Sequence, residues 1–140
     1  MLSRRRILVV EDEILTATEL TAAIVDADGE VVGPVATVHD GLELLAREDV
    51  HAAILDVGLP DRDVTPIAAA LLEHRKVVVF HTASRVPAAI TERFGEVVVC
   101  PKPMPSDQVV IRLAMMLERR QPGNADRQSE VRDAPSGRSI

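Results

Sequence analysis

The sequence predicts a three-layer α/β fold in which a parallel sheet lies between two layers of helices. Four short apolar runs, built largely of β-branched and aliphatic residues, occur at residues 7–10, 52–55, 77–80 and 97–100. Runs of this length between polar or turn residues are typical of buried parallel strands. Segments with helical apolar spacing separate these runs. Strict alternation of strand and helix with short connections predicts a doubly wound sandwich with right-handed crossovers.

Five strands and five helices are predicted along the chain. The strands lie at 7–10, 31–35, 52–56, 77–80 and 97–100, and the helices lie at 14–28, around 42–46, at 64–72, at 87–93 and at 109–117. Gly29 gives a stop signal for the first helix. Gly33-Pro34 suits an edge strand better than a central one, because proline cannot donate a hydrogen bond to the ladder.

The composition indicates one globular domain. A chain of 140 residues with 46% apolar and 27% charged residues has an ordinary balance and enough length for a sizeable core. We therefore expect a single domain over residues 1–120. Residues 121–140 are polar with few apolar side chains, which predicts a disordered tail. The formal net charge of −6 argues against a general nucleic-acid surface.

The sequence disfavours several other classes of site and location. The basic run at residues 4–6 continues directly into the first strand, so it indicates neither a signal peptide nor a membrane anchor, and a cytoplasmic protein is expected. The single cysteine, Cys100, excludes an internal disulfide and a cysteine-based zinc cluster and is expected in the core. The four histidines are scattered without metal-ligand spacing. Only His81, next to Thr82, is placed where it could affect a conformational switch.

Polar residues stand where four of the apolar runs end. They are Glu11 and Asp12, Asp56, Thr82 and Lys102. In an open α/β sheet the carboxyl ends of the strands border the crevice that binds ligands, so these side chains should face one pocket. Acids, a hydroxyl and an ammonium group together suit a divalent cation and a phosphoryl group. Asp12 and Glu13 could instead form an acidic first turn of the helix, favoured by its dipole.

The motifs around these residues carry a family resemblance. They are Val-Val-Glu-Asp-Glu at 9–13, Leu-Asp-Val-Gly-Leu-Pro at 55–60, His-Thr-Ala at 81–83 and Pro-Lys-Pro at 101–103. In this order and spacing they resemble the receiver domain of two-component response regulators, over roughly residues 5–120. The resemblance implies a flavodoxin-like sandwich of strand order 2-1-3-4-5. It also implies a stand-alone phosphorelay protein that is not an enzyme with its own substrate.

The resemblance implies a role for each strand-end residue. Asp56 would be the phosphoacceptor, and Thr82 and Lys102 would hold phosphoryl oxygens. Mg²⁺ prefers oxygen ligands. Its expected ligands are Glu11, Asp12, Asp56 and the backbone carbonyl of Gly58. A cation is needed among these acids, because two carboxylates in close contact repel by about 4 kcal/mol at an effective dielectric constant of about 20.

The expected partners are proteins. The phosphoryl group would come from a sensor histidine kinase or a histidine phosphotransfer protein, and the signal would pass to a downstream protein by contact. No helix-turn-helix pattern follows residue 120, so direct DNA binding is not expected. Met115 and Met116 on the last helix would permit a homodimer, although core packing competes for at least one of them.

Some features depart from the family pattern. Receivers commonly carry an aromatic residue three positions before the lysine, where this chain has Val99, and a branched aliphatic side chain cannot swing in the same way. The segment at 84–96 is compressed. Pro101 fits only an edge strand, and Lys102-Pro103 is expected to be a cis peptide, which its proline makes accessible.

Three other functions fit parts of the pattern. A phosphorylation-independent interaction module would account for Val99. A Mg²⁺-dependent phosphatase of the haloacid-dehalogenase kind also uses a strand-end aspartate, but it needs a second acid two residues later, where this chain has Gly58. A flavin-binding protein of the same fold needs a hydroxyl-rich phosphate loop after the first strand, where the acids at 11–13 would repel phosphate.

Overall fold

A computed structural model describes residues 1–120, and the tail predicted for 121–140 lies outside them. In chain order the elements are β1 Arg6–Val10, α1 Ile14–Asp26, β2 Glu30–Val35, α2 Val38–Arg47, β3 Ala52–Leu55, α3 Thr65–Glu73, β4 Val77–Thr82, α4 Ala88–Phe94, β5 Val98–Pro101 and α5 Ser106–Arg119. The strands form one parallel sheet of order β2-β1-β3-β4-β5, so the predicted fold class and strand order are confirmed. Over residues 1–120, none of the helices combines the length and apolar character needed to cross a membrane.

The two strands at one side of the sheet run further than the apolar pattern predicts. β4 includes the buried polar residues His81 and Thr82, which pair with the last two residues of β5. Polar side chains end the apolar run in the sequence. The hydrogen-bonded pairing of β4 with β5 nevertheless continues, because it is made by backbone groups and not by side chains. Pro101 lies on the edge strand β5 and Gly33-Pro34 lies on the edge strand β2, as predicted. Lys102-Pro103 is cis, also as predicted.

The compressed segment at 84–96 contains a regular helix. α4 is seven residues long, and the side chain of its residue Ile90 is completely buried in the core. Gly95 ends the helix with a positive φ of 80°, a conformation that glycine adopts without a steric penalty. The predicted helix at 87–93 is therefore present within one residue of its expected bounds.

The core has two parts, one on each face of the sheet. Because side chains alternate along a strand, Leu8 and Val10 join the part covered by α2, α3 and α4, while Ile7 and Val9 join the part covered by α1 and α5. Cys100 is fully buried in the second part, as predicted. This three-layer packing fixes the ends of β1, β3, β4 and the edge strand β5 relative to one another.

The register of the sheet brings the ends of four strands together. Val10 pairs with Leu55, Leu55 pairs with Phe80, and Phe80 pairs with Val99. The residues that follow these positions therefore emerge at one edge of the sheet, over the carboxyl ends of the strands. The fold places every strand-end residue predicted from the sequence at this edge.

Phe80 is one of the largest fully buried side chains and lies on a strand with neighbours on both sides. We expect Phe80→Ala to lower the free energy of unfolding by about 3–5 kcal/mol, through lost burial and the cavity left behind. Urea unfolding followed by circular dichroism measures this loss. Phe94→Ala is the control, because Phe94 is half-buried on α4 beneath the Arg93 guanidinium, and it should cost clearly less. Equal losses in the two variants would contradict this account of the core.

Candidate functional site

Asp56 is the first residue after β3, and the sheet fixes its backbone. Its amide N–H donates to the carbonyl of Val10 at 2.9 Å, which extends the pairing between β1 and β3 by one residue. The residue is buried, at 9% exposure, and its side-chain Oδ1 accepts a hydrogen bond from the amide of Val57 at 2.7 Å. One carboxylate oxygen is therefore anchored to the backbone, and the other, Oδ2, faces the remaining polar groups of the site.

Three acids gather at this edge. Carboxylate oxygens of Glu11, Asp12 and Asp56 all lie within 4.8 Å of one another. Glu11 is buried, at 3% exposure, and its amide donates to Val35 of β2 at 2.9 Å, while Asp12 is exposed. A set of three carboxylates that combines buried and exposed members offers the oxygen ligands that Mg²⁺ prefers and leaves room for its water molecules. The residues present thus fit a divalent cation.

Lys102 supplies the positive charge of the site. Its Nζ lies 3.0 Å from Glu11 Oε1, 2.9 Å from Glu13 Oε1 and 3.0 Å from Asp56 Oδ2. The backbone amide of Lys102 donates to the carbonyl of Thr82 at 3.1 Å, which ties the lysine to the end of β4. From the sequence, these acids were expected to repel one another unless a metal cation was bound. The structure differs, because one ammonium group lies among the carboxylates and offsets much of that repulsion.

Thr82 is buried at the end of β4, on the side of the sheet that faces Asp56. Its hydroxyl oxygen accepts a hydrogen bond from the amide of Ser84 at 3.0 Å, which fixes its orientation. Hydrogen bonding by the same hydroxyl stabilises the charged form of the Asp56 carboxylate and so lowers its pKa. The hydroxyl proton is thus available to the Asp56 carboxylate.

The surroundings shift the pKa values of the site residues in different directions. Burial raises the pKa of Glu11 to about 7, and the negative charge of Asp56 adds to this effect, while hydrogen bonds from Glu13 and Lys102 oppose it. For Asp56, burial also favours the neutral form, but hydrogen bonds from Lys102, Thr82 and Val57 outweigh it and hold the pKa below its usual range. Asp56 is therefore ionised at neutral pH, which a nucleophile requires.

The pKa of Lys102 lies above its ordinary range. Burial opposes the charged form, but hydrogen bonds to Glu13, Asp56 and Glu11 outweigh this effect. The lysine therefore carries its charge throughout the physiological pH range. It acts as a fixed cation rather than as an acid or base.

Gly58 follows Asp56 by two residues and forms an isolated antiparallel bridge with Asp63. Apart from Gly58 itself and its two chain neighbours, no heavy atom of the described residues lies within 4 Å of the position that a Cβ at Gly58 would take. The residue offers a backbone carbonyl and no side chain. Its role as a metal ligand stays a prediction, and the second acid that a dehalogenase-like phosphatase needs here is missing from the sequence.

Comparison with known proteins identifies the fold. No protein-family model and no curated protein matches the sequence. Among solved structures, the response regulatory domain of protein mrkE from Klebsiella pneumoniae is 27% identical, with a TM-score of 0.68 over 81% of this chain and 94% of that one. The chain is similar to response regulator receiver domains in sequence and in fold.

Two further receiver structures share the fold at lower identity. A CheY-like receiver domain protein from Methanospirillum hungatei JF-1 is 21% identical, with a TM-score of 0.72 over 83% of this chain and 95% of that one. The non-phosphorylated HemR receiver domain from Leptospira biflexa is 22% identical, with a TM-score of 0.72 over 84% of this chain and 98% of that one. All three likenesses cover nearly the whole of the compared receiver chains.

The receiver has an unusual surface beside β5. Val99 is 38% exposed and lines an open groove of about 550 Å³ together with Arg85, Val86 and Val97. On α5, Met115 is 47% exposed while Met116 packs partly against the core. The homodimer predicted from this methionine pair would therefore involve Met115, and it stays a prediction.

The sequence analysis missed the contacts of two residues that shape the receiver site. Glu13 binds Lys102, although only its position at the start of a helix was noticed. Asp61 accepts hydrogen bonds from the amides of Val38 and His39 at 3.0 Å each, so it ties the loop after Asp56 to the first turn of α2. His81, which the sequence analysis singled out beside Thr82, is almost completely buried despite its polar character, at 3% exposure. Long-range partners decide these roles, and one sequence does not reveal them.

His81 is buried on the face of β4 opposite Thr82, and neither ring nitrogen makes a well-aligned hydrogen bond within residues 1–120. Burial and the charge of Lys102 lower its pKa below the ordinary value of 6.5. The unfolded chain therefore binds a proton near pH 6.5 on His81 that the folded chain does not bind, so the contribution of His81 to stability should decline as the pH falls through this range, opposite in sign to that of Glu11. We expect His81→Leu to remove that part of the decline and to raise the free energy of unfolding by about 1–3 kcal/mol.

Urea unfolding at a series of pH values between 5 and 8 measures both effects. His74→Leu is the matched control, because it replaces an exposed histidine at the end of α3 and should leave the acid dependence in place. An unchanged pH profile in His81→Leu would mean that His81 is not the group responsible.

Proposed function

We propose that this receiver accepts a phosphoryl group on Asp56 and thereby passes a signal in a two-component phosphorelay. The observation that carries the proposal is the state of Asp56. It is a buried carboxylate, held ionised by Lys102 and Thr82, at an edge of the sheet where two further acids lie. A buried charge is retained only where something stabilises it, and here the stabilising groups match the needs of phosphoryl transfer.

Each residue has a task in the transfer. Asp56 attacks phosphorus through a carboxylate oxygen, and the bond to the donor's leaving group breaks as the acyl phosphate forms. Lys102 and Thr82 bind the phosphoryl oxygens and balance their charge. Glu11, Asp12, Asp56 and the Gly58 carbonyl would hold Mg²⁺, which when bound reduces the repulsion between an anionic nucleophile and an anionic phosphoryl group.

The donor in this proposal is a sensor histidine kinase or a histidine phosphotransfer protein, and the output is contact with another protein. Support comes from the position of the site at the rim of the sheet, where the loops after β1, β3 and β4 leave Asp12 and Gly58 accessible. Phosphorylation would bias a two-state equilibrium of the loop after Thr82 and of the adjacent α4 and β5 surface.

A second candidate is a receiver-like interaction module whose binding does not depend on phosphorylation. The exposed Val99 favours this candidate. Receivers commonly have an aromatic ring at this position that swings between two orientations, and a branched aliphatic side chain cannot do so. The two candidates differ in one measurable quantity. In the module, phosphorylation leaves the affinity for the partner unchanged, and in the phosphorelay protein it shifts that affinity.

Incubation with acetyl phosphate and Mg²⁺, followed by intact-protein mass spectrometry, tests phosphoacceptance directly. We expect a single phosphoryl group on the wild-type chain, none on Asp56→Asn, and none on the wild type once a chelator removes Mg²⁺. Asp49→Asn is the matched control, because Asp49 is an exposed aspartate at the opposite end of β3. It should be labelled like the wild type.

Equal labelling of wild type and Asp56→Asn, or no labelling of either by acetyl phosphate or a histidine kinase, would refute the proposal. A pull-down with modified and unmodified protein then separates the phosphorelay protein from the phosphorylation-independent module.

A further inference from the structure

The ammonium group of Lys102 lies among carboxylates and donates hydrogen bonds to two of them, those of Glu13 and Asp56. A lysine donates three hydrogen bonds at most. Three carboxylates, those of Glu11, Glu13 and Asp56, lie 2.9–3.0 Å from its nitrogen. The contact with Glu11 at 3.0 Å is an ion pair without hydrogen-bond alignment. A phosphoryl oxygen that approaches Lys102 therefore competes chiefly with Glu13 and Asp56 for the protons of the ammonium group.

Glu13 differs from the other two acids in burial. The side chain of Glu11 is 1% exposed and that of Asp56 is 11% exposed, whereas that of Glu13 is 61% exposed. Releasing Glu11 from Lys102 would leave a buried acid without its counter-ion, which is costly. Glu13 can turn into water without such a penalty, so it is the contact that is exchanged most readily.

The local structure holds Glu13 against the lysine. It is the N-cap residue of α1, but its side chain makes no capping hydrogen bond. Its Oε1 accepts from the hydroxyl of Thr16 at 3.2 Å as well as from Lys102 at 2.9 Å. The carboxylate is thus directed toward the lysine rather than toward the helix amides, contrary to the helix-dipole alternative considered for the sequence.

Glu13 also lies outside the group of acids that fit a cation, which consists of Glu11, Asp12 and Asp56. A cation bound by that group would compete with Lys102 for Glu11 and Asp56. Glu13 would remain in contact with the lysine as its third partner. An incoming phosphoryl group adds a charge of about −1.5 to −2 beside this acid. Glu13 would then both occupy the lysine and repel the group that the lysine has to bind.

We propose that Glu13 is a positioning residue that restrains phosphorylation by competing with the phosphoryl group for Lys102. This inference rests on the proposed function of Asp56 and adds a regulatory contact to the same site. In the unmodified receiver, Glu13 holds Lys102 at the mouth of the site. On phosphorylation the lysine transfers from Glu13 to a phosphoryl oxygen, and Glu13 turns outward into solvent.

Binding of beryllofluoride in the presence of Mg²⁺ tests the competition, because this ion is a stable mimic of a phosphoryl group on a carboxylate. We expect Glu13→Gln and Glu13→Ala to bind beryllofluoride about two- to fivefold more tightly than the wild type, the size of effect expected for an exposed ion pair. Glu13→Asp keeps the charge and should remain close to the wild type. Glu19→Gln is the matched control, since it removes one charge from an exposed acid on the same helix.

A spectroscopic measurement reports the contact itself. The chain contains only two lysines, Lys76 and Lys102, so Lys76→Arg leaves a single lysine side-chain signal. In nitrogen-15 NMR we expect a slowly exchanging Lys102 ammonium signal in unmodified protein, faster exchange in Glu13→Gln, and a shifted signal after beryllofluoride binds. If Glu13 had a purely structural role, the Lys102 signal would not change both in Glu13→Gln and on addition of beryllofluoride.

The outcomes separate the two proposals. Unchanged or weaker beryllofluoride binding by Glu13→Gln and Glu13→Ala, while the wild type binds, overturns the competition alone. Equal tightening in Glu19→Gln also overturns it, because the effect would then be one of net charge. No binding by the wild type or any variant overturns the phosphoacceptor function together with this inference.

Discussion

The site depends on one electrostatic contact, the ammonium group of Lys102 shared by three carboxylates at 2.9–3.0 Å. Without it, Glu11 and Asp56 would be two buried negative charges side by side, and such groups neutralise rather than remain ionised. Glu11 already lies close to that limit, since burial raises its pKa to about 7. The lysine keeps Asp56 charged and so keeps its carboxylate available as a nucleophile.

The contact exists because of the strand order. Glu11, Asp56 and Lys102 are far apart in the chain, and they follow β1, β3 and β5, whose ends the parallel register aligns at one edge of the sheet. Helices on both faces fix that register through two separate parts of the core. The same packing buries Glu11, which raises its pKa, and brings Asp56 against the hydrogen-bond donors that lower its pKa, while Asp12 and Glu13 stay in contact with solvent. Topology therefore sets both the positions and the charge states of the site residues.

Much of this arrangement can be predicted from the sequence, because it depends on local patterns. Apolar runs locate the strands, and the polar residue at the end of each run locates the site edge, as Asp56 and Lys102 illustrate. What the sequence does not reveal depends on long-range contacts. The pairing of Glu13 with Lys102, the hydrogen bonds from α2 to Asp61 and the burial of His81 all join residues whose proximity only the folded chain creates. The extension of β4 through two polar residues has the same origin, because its backbone pairs with β5.

The central claim is that Asp56, among several acids of similar position, is the residue that becomes modified. Borohydride reduction of the acyl phosphate, followed by tandem mass spectrometry of peptides, tests this claim most directly, because reduction converts the modified aspartate into homoserine. The account predicts homoserine at position 56 after incubation with a phosphodonor and Mg²⁺. Homoserine at Asp12 or Asp61, or its absence from every position of a chain that carries phosphate, would contradict the account.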